Sequence, residues 1–226
     1  MQAHSAARSS RLRLQGLYAV TPDTPESSVL IAKVAAALAG GALAIQYRNK
    51  TGSPALKRDQ AQRIARLCAQ RAVLMIVNDD PELAVAAGAD GVHIGRDDGD
   101  LVSARALLGE TRLIGVSCYG DIARARHAVE QGADYVAFGS FFPSRVKRDA
   151  AHADKSLLMQ ARTLGVPVVA IGGIDAGNAR TLVDAGADAV AVITDVFGHD
   201  EPAAVMRAAA AIAASFLTKP PQERHD

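Results

Sequence analysis

The stretch AGADGVHIG at residues 87–95 returns as GADYVAFG at 132–139 and as AGADAVAVI at 185–193. Each copy sets Gly-Ala-Asp just ahead of a short apolar run, where glycine serves a helix C-cap and a tight αβ turn. The same alternation extends through the chain. GLYAVTP (16–22), ALAIQYR (42–48), VLMIVND (73–79), GVHIG (91–95), LIGVSC (113–118), YVAFGSFF (135–142), PVVAIGGI (167–174) and AVAVIT (189–194) read as strands. Amphipathic segments such as SSVLIAKVAAALAG (27–40) and ALKRDQAQRIARLCAQ (55–70) follow most of them. Strands alternating with helices give a parallel sheet, and runs apolar throughout require cover on both faces. Eight such units in this length predict an α/β protein with a (β/α)8 barrel. No GxGxxG follows the first strand, which argues against a dinucleotide-binding open sheet.

The 226 residues are about half hydrophobic (49%), with a mean hydropathy of +0.08, enough to bury a full core. A formal charge of +1 gives no basic excess for nucleic acid and no acidic tail. Apolar runs such as VPVVAIGG fall far short of the roughly 20 residues of a membrane span. A soluble protein is expected. Cys68 and Cys118 are the only cysteines and have no CxxC or metal-binding spacing, which argues against a disulfide framework or zinc site and fits a reducing cytoplasm. Residues 1–15 carry Arg8, Arg11 and Arg13 without an apolar core for a secretory signal, and read as a flexible extension. Residues 16–216 form a single barrel domain, and 217–226, with Pro220 and Pro221, a solvated tail.

In such barrels the chemistry lies where strands end and lead into helices. Those ends carry Gln46, Arg48 and Lys50; Asn78, Asp79 and Asp80; Arg96, Asp97 and Asp98; Ser117 and Cys118; and Ser144, Arg145, Lys147 and Arg148. Strand seven closes in AIGGID and strand eight in VITDVF. Carboxylates on neighbouring strands, Asp79 and Asp98, suit a hard divalent ion held by one or two carboxylates plus substrate phosphates. The other reading is helix capping: Asp80 at the N-cap with Pro81 at N1, and Asp100 before LVSARALLG. Each cap uses one aspartate, leaving Asp79 and Asp98 over. Gly172, Gly173 and Thr194 sit where barrels of this kind bind phosphate, although a tight turn also calls for glycine. His93, inside its run, reads as a packed and hydrogen-bonded barrel histidine. Cys118 lacks a base partner for nucleophilic work. Tyr47 packs, and Arg145 and Arg148 are solvated loop charges.

QYRNK (46–50), IVNDDPELAVAAGADGVHIGRDD (76–98), IGVSC (114–118), FGSFFPSRVK (138–147) and VVAIGGI (168–174) follow one another as in the thiamine-phosphate synthase family. The chain resembles that family from about Gly16 to Gly198. The resemblance implies a transferase that joins hydroxymethylpyrimidine diphosphate to a thiazole phosphate and releases thiamine phosphate and pyrophosphate. It implies that Gln46 holds the pyrimidine and that Arg48, Lys50, Asn78, Ser117 and Lys147 bind the diphosphate. Asp79 and Asp98 would hold Mg²⁺, and Gly173, Ile193 and Thr194 would receive the thiazole phosphate. The family usually has Gln at the place of Arg96, Thr at the places of Ser144 and Val146, and Ser at that of Thr194. Ser144 and Thr194 keep a hydroxyl for a phosphate and Val146 does not. The resemblance allows a homodimer. Rival readings are a thiazole tautomerase, which often has a histidine where Tyr119 stands, and a noncatalytic barrel that binds a phosphorylated ligand.

Overall fold

A computed structural model describes residues 14–95, 100–143 and 153–217. All eight expected strands are present: β1 (Gly16–Val20), β2 (Ala42–Tyr47), β3 (Leu74–Asn78), β4 (Gly91–Ile94), β5 (Leu113–Tyr119), β6 (Tyr135–Phe138), β7 (Val168–Ile171) and β8 (Ala189–Val192). They pair in parallel in sequence order and close through β8 onto β1, with Gly16 opposite Ala189 and Leu17 opposite Val190. The chain is the (β/α)8 barrel the alternation predicts.

Helices intervene as α1 (Ser27–Ala39), α2 (Pro54–Ala69), α3 (Pro81–Ala87), α4 (Leu101–Leu108), α5 (Ile122–Glu130), α6 (Ser156–Ala161), α7 (Ala179–Asp184), α8 (Thr194–Phe197) and α9 (Pro202–Ala213). Several starts are fixed by side chains that satisfy the otherwise orphaned first N–H groups. Ser53 Oγ accepts from Leu56 N, Asp80 Oδ1 from Leu83 N and Asp100 Oδ2 from Ser103 N. Pro54 and Pro81 occupy the first helical turn, where a missing N–H costs nothing. The strand predicted to run through Thr194 stops at Val192, and Thr194 opens α8 instead.

The Gly-Ala-Asp repeats have two structural duties. Gly88, Gly132 and Gly186 all take positive φ (71°, 98° and 110°) at the turn that leaves each helix. The aspartates then clasp the barrel's lower rim. Asp90 Oδ2 accepts from Met75 N, Asp134 Oδ2 from Ile114 N and Asp188 Oδ2 from Val168 N, at 2.8–2.9 Å. Each carboxylate therefore ties the start of one strand to the start of its neighbour. Arg105 reinforces the middle clasp, donating to Asp134 and to the carbonyls of Gly109, Arg112 and Gly132.

Two cores follow from strand parity. Leu17, Ala19, Ile45, Tyr47, Met75 and Val77 face outward and pack beneath the helices. The alternate positions, among them Tyr18, Val20, Ala44, Ile76, Tyr135 and Ala137, fill the barrel interior. Residues that continue this inward parity toward the strand ends reach the mouth of the barrel.

Candidate active site

One side of the mouth is built from the loops after β1 to β3. Thr21, wholly buried, donates to Arg48 O and accepts from Arg48 N, pinning the chain as it leaves β2. Asp23 Oδ1 then accepts from Arg48 Nη1 at 3.1 Å and from Lys50 N at 3.0 Å. Below them Gln60 of α2 accepts from Tyr47 Oη and Asn49 Nδ2 and donates to Thr24 O. This buried amide holds the end of β2 and the loop after it to the helix that follows. Tyr47 packs outward against α2, as its alternation with Gln46 and Arg48 predicts.

At the end of β3 the two adjacent carboxylates separate. Asp80 caps α3. Asp79 takes a left-handed backbone (φ 62°), uncommon for a residue other than glycine and concentrated at functional sites. Its N–H donates to His93 O, so the turn is anchored to β4. The carboxylate accepts from Asn78 Nδ2 and lies 3.5 Å from Lys50 Nζ. A cleft of about 550 Å³ opens here, lined by Lys50, Asn78, Asp79, Ile94, Asp100 and Ser103. Asp100 is committed to capping α4, and its hydrogen bonds from the Ser103 backbone and hydroxyl hold its carboxyl below the usual carboxylate range.

Among the described residues no group of three His, Cys, Asp or Glu side chains gathers to hold a metal. Asp98, Arg96, Ser144, Val146 and Lys147 lie outside the described residues, as do Arg145 and Arg148. The Asp79 carboxylate and the Asn78 amide present hard oxygen donors, the kind that suits Mg²⁺ when phosphates and water supply the other positions. The donor set therefore fits a hard cation and offers nothing to a thiophilic one.

Gln46 and Ser117 lie deeper. Gln46, 5% exposed, donates from Nε2 to Tyr18 Oη, and Ser117 Oγ lies 2.9 Å from His93 Nε2. His93 is buried and bonded at both ring nitrogens, as expected for a barrel histidine, and it touches Ser117 directly. Tyr18, Tyr135, Asp23 and Gln60 were not singled out by the strand ends. Inward parity would have found the two tyrosines, which share the face of Gln46 and Ser117. Cys118 is buried, and desolvation pushes its thiol up to about 12, which removes it as a nucleophile at neutral pH.

Across the mouth, Gly172 (φ 105°) and Gly173 (φ 63°) follow β7. A Cβ on Gly173 would lie 2.4 Å from Pro143 O, and one on Gly172 would lie 2.1 Å from Ser140 Oγ. Close approach of the loop after β6 thus explains both glycines without a ligand, and leaves phosphate binding to be tested on its own. Ile193 packs on the interior core, and Thr194 begins α8 immediately after β8. The structure joins Lys50, Asn78 and Asp79 in one cleft and leaves Gly173, Ile193 and Thr194 on the β7–β8 side.

Comparison with known proteins agrees with this architecture. A family model described as thiamine monophosphate synthase matches residues 17–196. Thiamine-phosphate synthase of Chromobacterium violaceum is 56% identical over 198 residues, covering 88% of this chain and 96% of that protein. The enzyme of that name from Thiobacillus denitrificans is 51% identical, covering 91% and 96%. Among solved structures, thiamine phosphate pyrophosphorylase from Pyrococcus furiosus superposes with a TM-score of 0.78 at 32% identity, covering 90% of this chain and 95% of that one. The chain belongs to the thiamine monophosphate synthase family and is a transferase of thiamine biosynthesis acting on small molecules.

Proposed function

We propose that the barrel mouth binds hydroxymethylpyrimidine diphosphate with Mg²⁺, releases pyrophosphate from the pyrimidine methylene and joins that carbon to the nitrogen of a thiazole phosphate. The carrying observation is the Lys50, Asn78 and Asp79 cluster at the end of a lumen whose inward face presents Gln46 and Ser117. In this reading Gln46 orients the pyrimidine. Arg48, Lys50, Asn78, Ser117 and Lys147 surround the diphosphate, and Asp79 and Asp98 hold the ion. Gly173, Ile193, Thr194 and Ser144 receive the thiazole phosphate and complete the anion contacts.

The chemistry needs charge neutralisation more than a nucleophile. The methylene C–O bond breaks with its electron pair leaving on the diphosphate, and the thiazole nitrogen supplies the pair for the new C–N bond. When bound, Mg²⁺ neutralises charge accumulating on the leaving oxygens. Lys50 and Arg48 add fixed positive charge to the same place, and such preorganised groups act most strongly where water is excluded. The pyrimidine carries the transient positive charge, so the protein's remaining work is orientation. Whether the thiazole carries a carboxylate is decided by which substrate is turned over.

Two unpaired, buried thiols suit a reducing cytoplasm, and no described helix is long and apolar enough to cross a membrane. The reading also takes in a homodimer, which light scattering tests against the 23.5 kDa monomer. Activity is tested by pyrophosphate release with each substrate omitted in turn. Release that needs both, with thiamine phosphate formed, supports the proposal. Release without the thiazole, or none with both substrates present, overturns it.

A further inference from the structure

Five side chains from five strands form one line of hydrogen bonds through the barrel interior. Gln46 Nε2 donates to Tyr18 Oη at 2.7 Å, and Tyr18 Oη meets Tyr135 Oη at 3.0 Å. Tyr135 Oη meets His93 Nδ1 at 3.0 Å, and His93 Nε2 meets Ser117 Oγ at 2.9 Å. The rings are held by packing as well: Tyr135 stacks on His93 at 5.5 Å and meets Tyr18 edge-on at 6.2 Å. Gly115 makes the space, because a Cβ there would fall 1.9 Å from Tyr135 Cζ. An aliphatic interior would need no such accommodation, so the polar line asks for an explanation beyond packing.

Its proton order supplies one. Burial raises the pKa of both tyrosines far above the ordinary phenol value, so each oxygen carries one proton to donate and lone pairs to accept. A neutral imidazole donates at one nitrogen and accepts at the other. The line therefore has two self-consistent polarities. With Gln46 Nε2 donating to Tyr18, the order runs from Tyr18 to Tyr135, then to His93 Nδ1, and His93 Nε2–H donates to Ser117. The serine proton is left to point away from His93, toward the mouth. Turning the Gln46 amide over would reverse every bond and make Ser117 donate inward. The amide orientation at one end thus sets the hydrogen-bonding character of the hydroxyl at the other.

We propose that His93, Tyr135 and Tyr18 are positioning residues that couple Gln46 to Ser117, presenting an amide acceptor to the aminopyrimidine and a hydroxyl donor to the diphosphate together. This rests on the placement of those two substrate groups under the proposed function. Cooperative polarisation along the line makes each bond depend on the others. Specificity then comes from matching both ends of one substrate at once.

The test is a double-mutant cycle with Tyr135→Phe and Ser117→Ala. Tyr135→Phe removes one oxygen and keeps the ring against Gly115. It should lower kcat/KM for the pyrimidine diphosphate by about tenfold and leave KM for the thiazole phosphate unchanged, a split that general destabilisation would not produce. In the Ser117→Ala background it should cost less than about twofold, because the serine it orients is gone. Equal losses in both backgrounds overturn the coupling. A second readout needs no turnover: ¹⁵N spectra of wild-type protein, assigned with His93→Gln, should show His93 protonated at Nε2 and unprotonated at Nδ1. An Nδ1-protonated ring overturns the proposed polarity. If Tyr135→Phe does not fold, Tyr18→Phe breaks the line one bond earlier and is held to the same cycle. Wild-type protein that forms no thiamine phosphate would fail the functional reading, whereas active wild type with additive losses would fail this inference alone.

Discussion

Asp79 and Asp80 are the same residue type, adjacent in sequence, and the backbone gives them separate work. Asp80 lies in extended backbone (φ −124°) and accepts from Leu83 N, whereas Asp79 in the left-handed region faces Lys50 and Asn78. Asp80→Ala removes a cap and should cost about 1 kcal/mol, lowering Tm by about 2–4 °C while turnover stays within about twofold. Asp79→Asn keeps a side chain that tolerates the left-handed turn but removes the charge. It should lower turnover by about 100- to 1,000-fold, the scale of one lost electrostatic contact to a transition state, with little change in Tm. Asp98→Ala and Lys147→Ala are expected to show losses of the same order. Steady-state kinetics and calorimetry on the two neighbouring variants decide the division of labour. Matching profiles for Asp80→Ala and Asp79→Asn would refute it. Chelation with EDTA should abolish turnover and added Mg²⁺ should restore it. Full activity in EDTA would remove the metal from the mechanism.

At the scale of elements, the eight strands were legible because each is apolar on both faces and ends in polar or glycine-rich sequence. Strand ends also led directly to Lys50, Asn78 and Asp79, which the cleft brings together. Reading only the C-terminal ends passed over Tyr18, in the middle of β1, and Tyr135, which opens β6; both contribute through the interior. Their signal was parity: Tyr18 with Val20, Ala44 with Gln46, and Tyr135 with Ala137 all face inward. The repeats were legible as glycine turns, but the role of their aspartates depends on which strand start lies alongside, a tertiary fact. Asp134 shows what that contact is worth. It accepts from Ile114 N and pairs with Arg105, both side chains mostly buried at 10% and 14% exposure. Asp134→Ala would leave a buried guanidinium without its counter-charge and the Ile114 N–H without its acceptor, and should destabilise by roughly 3 kcal/mol. Urea unfolding reads this as a lower midpoint at unchanged slope. A midpoint within error of wild type would show that the clasp contributes no stability.

For the whole molecule, a closed barrel wrapped in helices should respond to alkali as one unit. Cys68 and Cys118 are buried, and desolvation raises both thiols from 9.0 to about 12; burial likewise takes Tyr47 from 10.0 to about 12 and raises Tyr18 and Tyr135 further. In the unfolded chain these groups ionise at their ordinary values. Between about pH 9 and 12 the unfolded state therefore holds fewer protons than the folded one, and stability falls as pH rises. Below the unfolded values the contribution is fully present, so neutral and mildly basic solutions should show no loss from these groups. Above pH 9 each cysteine should weaken the fold by up to about 1.4 kcal/mol per pH unit until its folded value is reached. Urea midpoints at pH 7.5, 9 and 10.5 would trace that level stretch and decline. A thiol reagent at pH 8 adds an independent measurement, because thiols held neutral in the core between strands and helices should react only as fast as the chain opens. Both cysteines should then label at rates that follow global stability, slowing in stabilising sulfate and accelerating in subdenaturing urea. Labelling in native buffer as fast as in concentrated urea would mean that the wall around Cys68 and Cys118 opens independently of the fold.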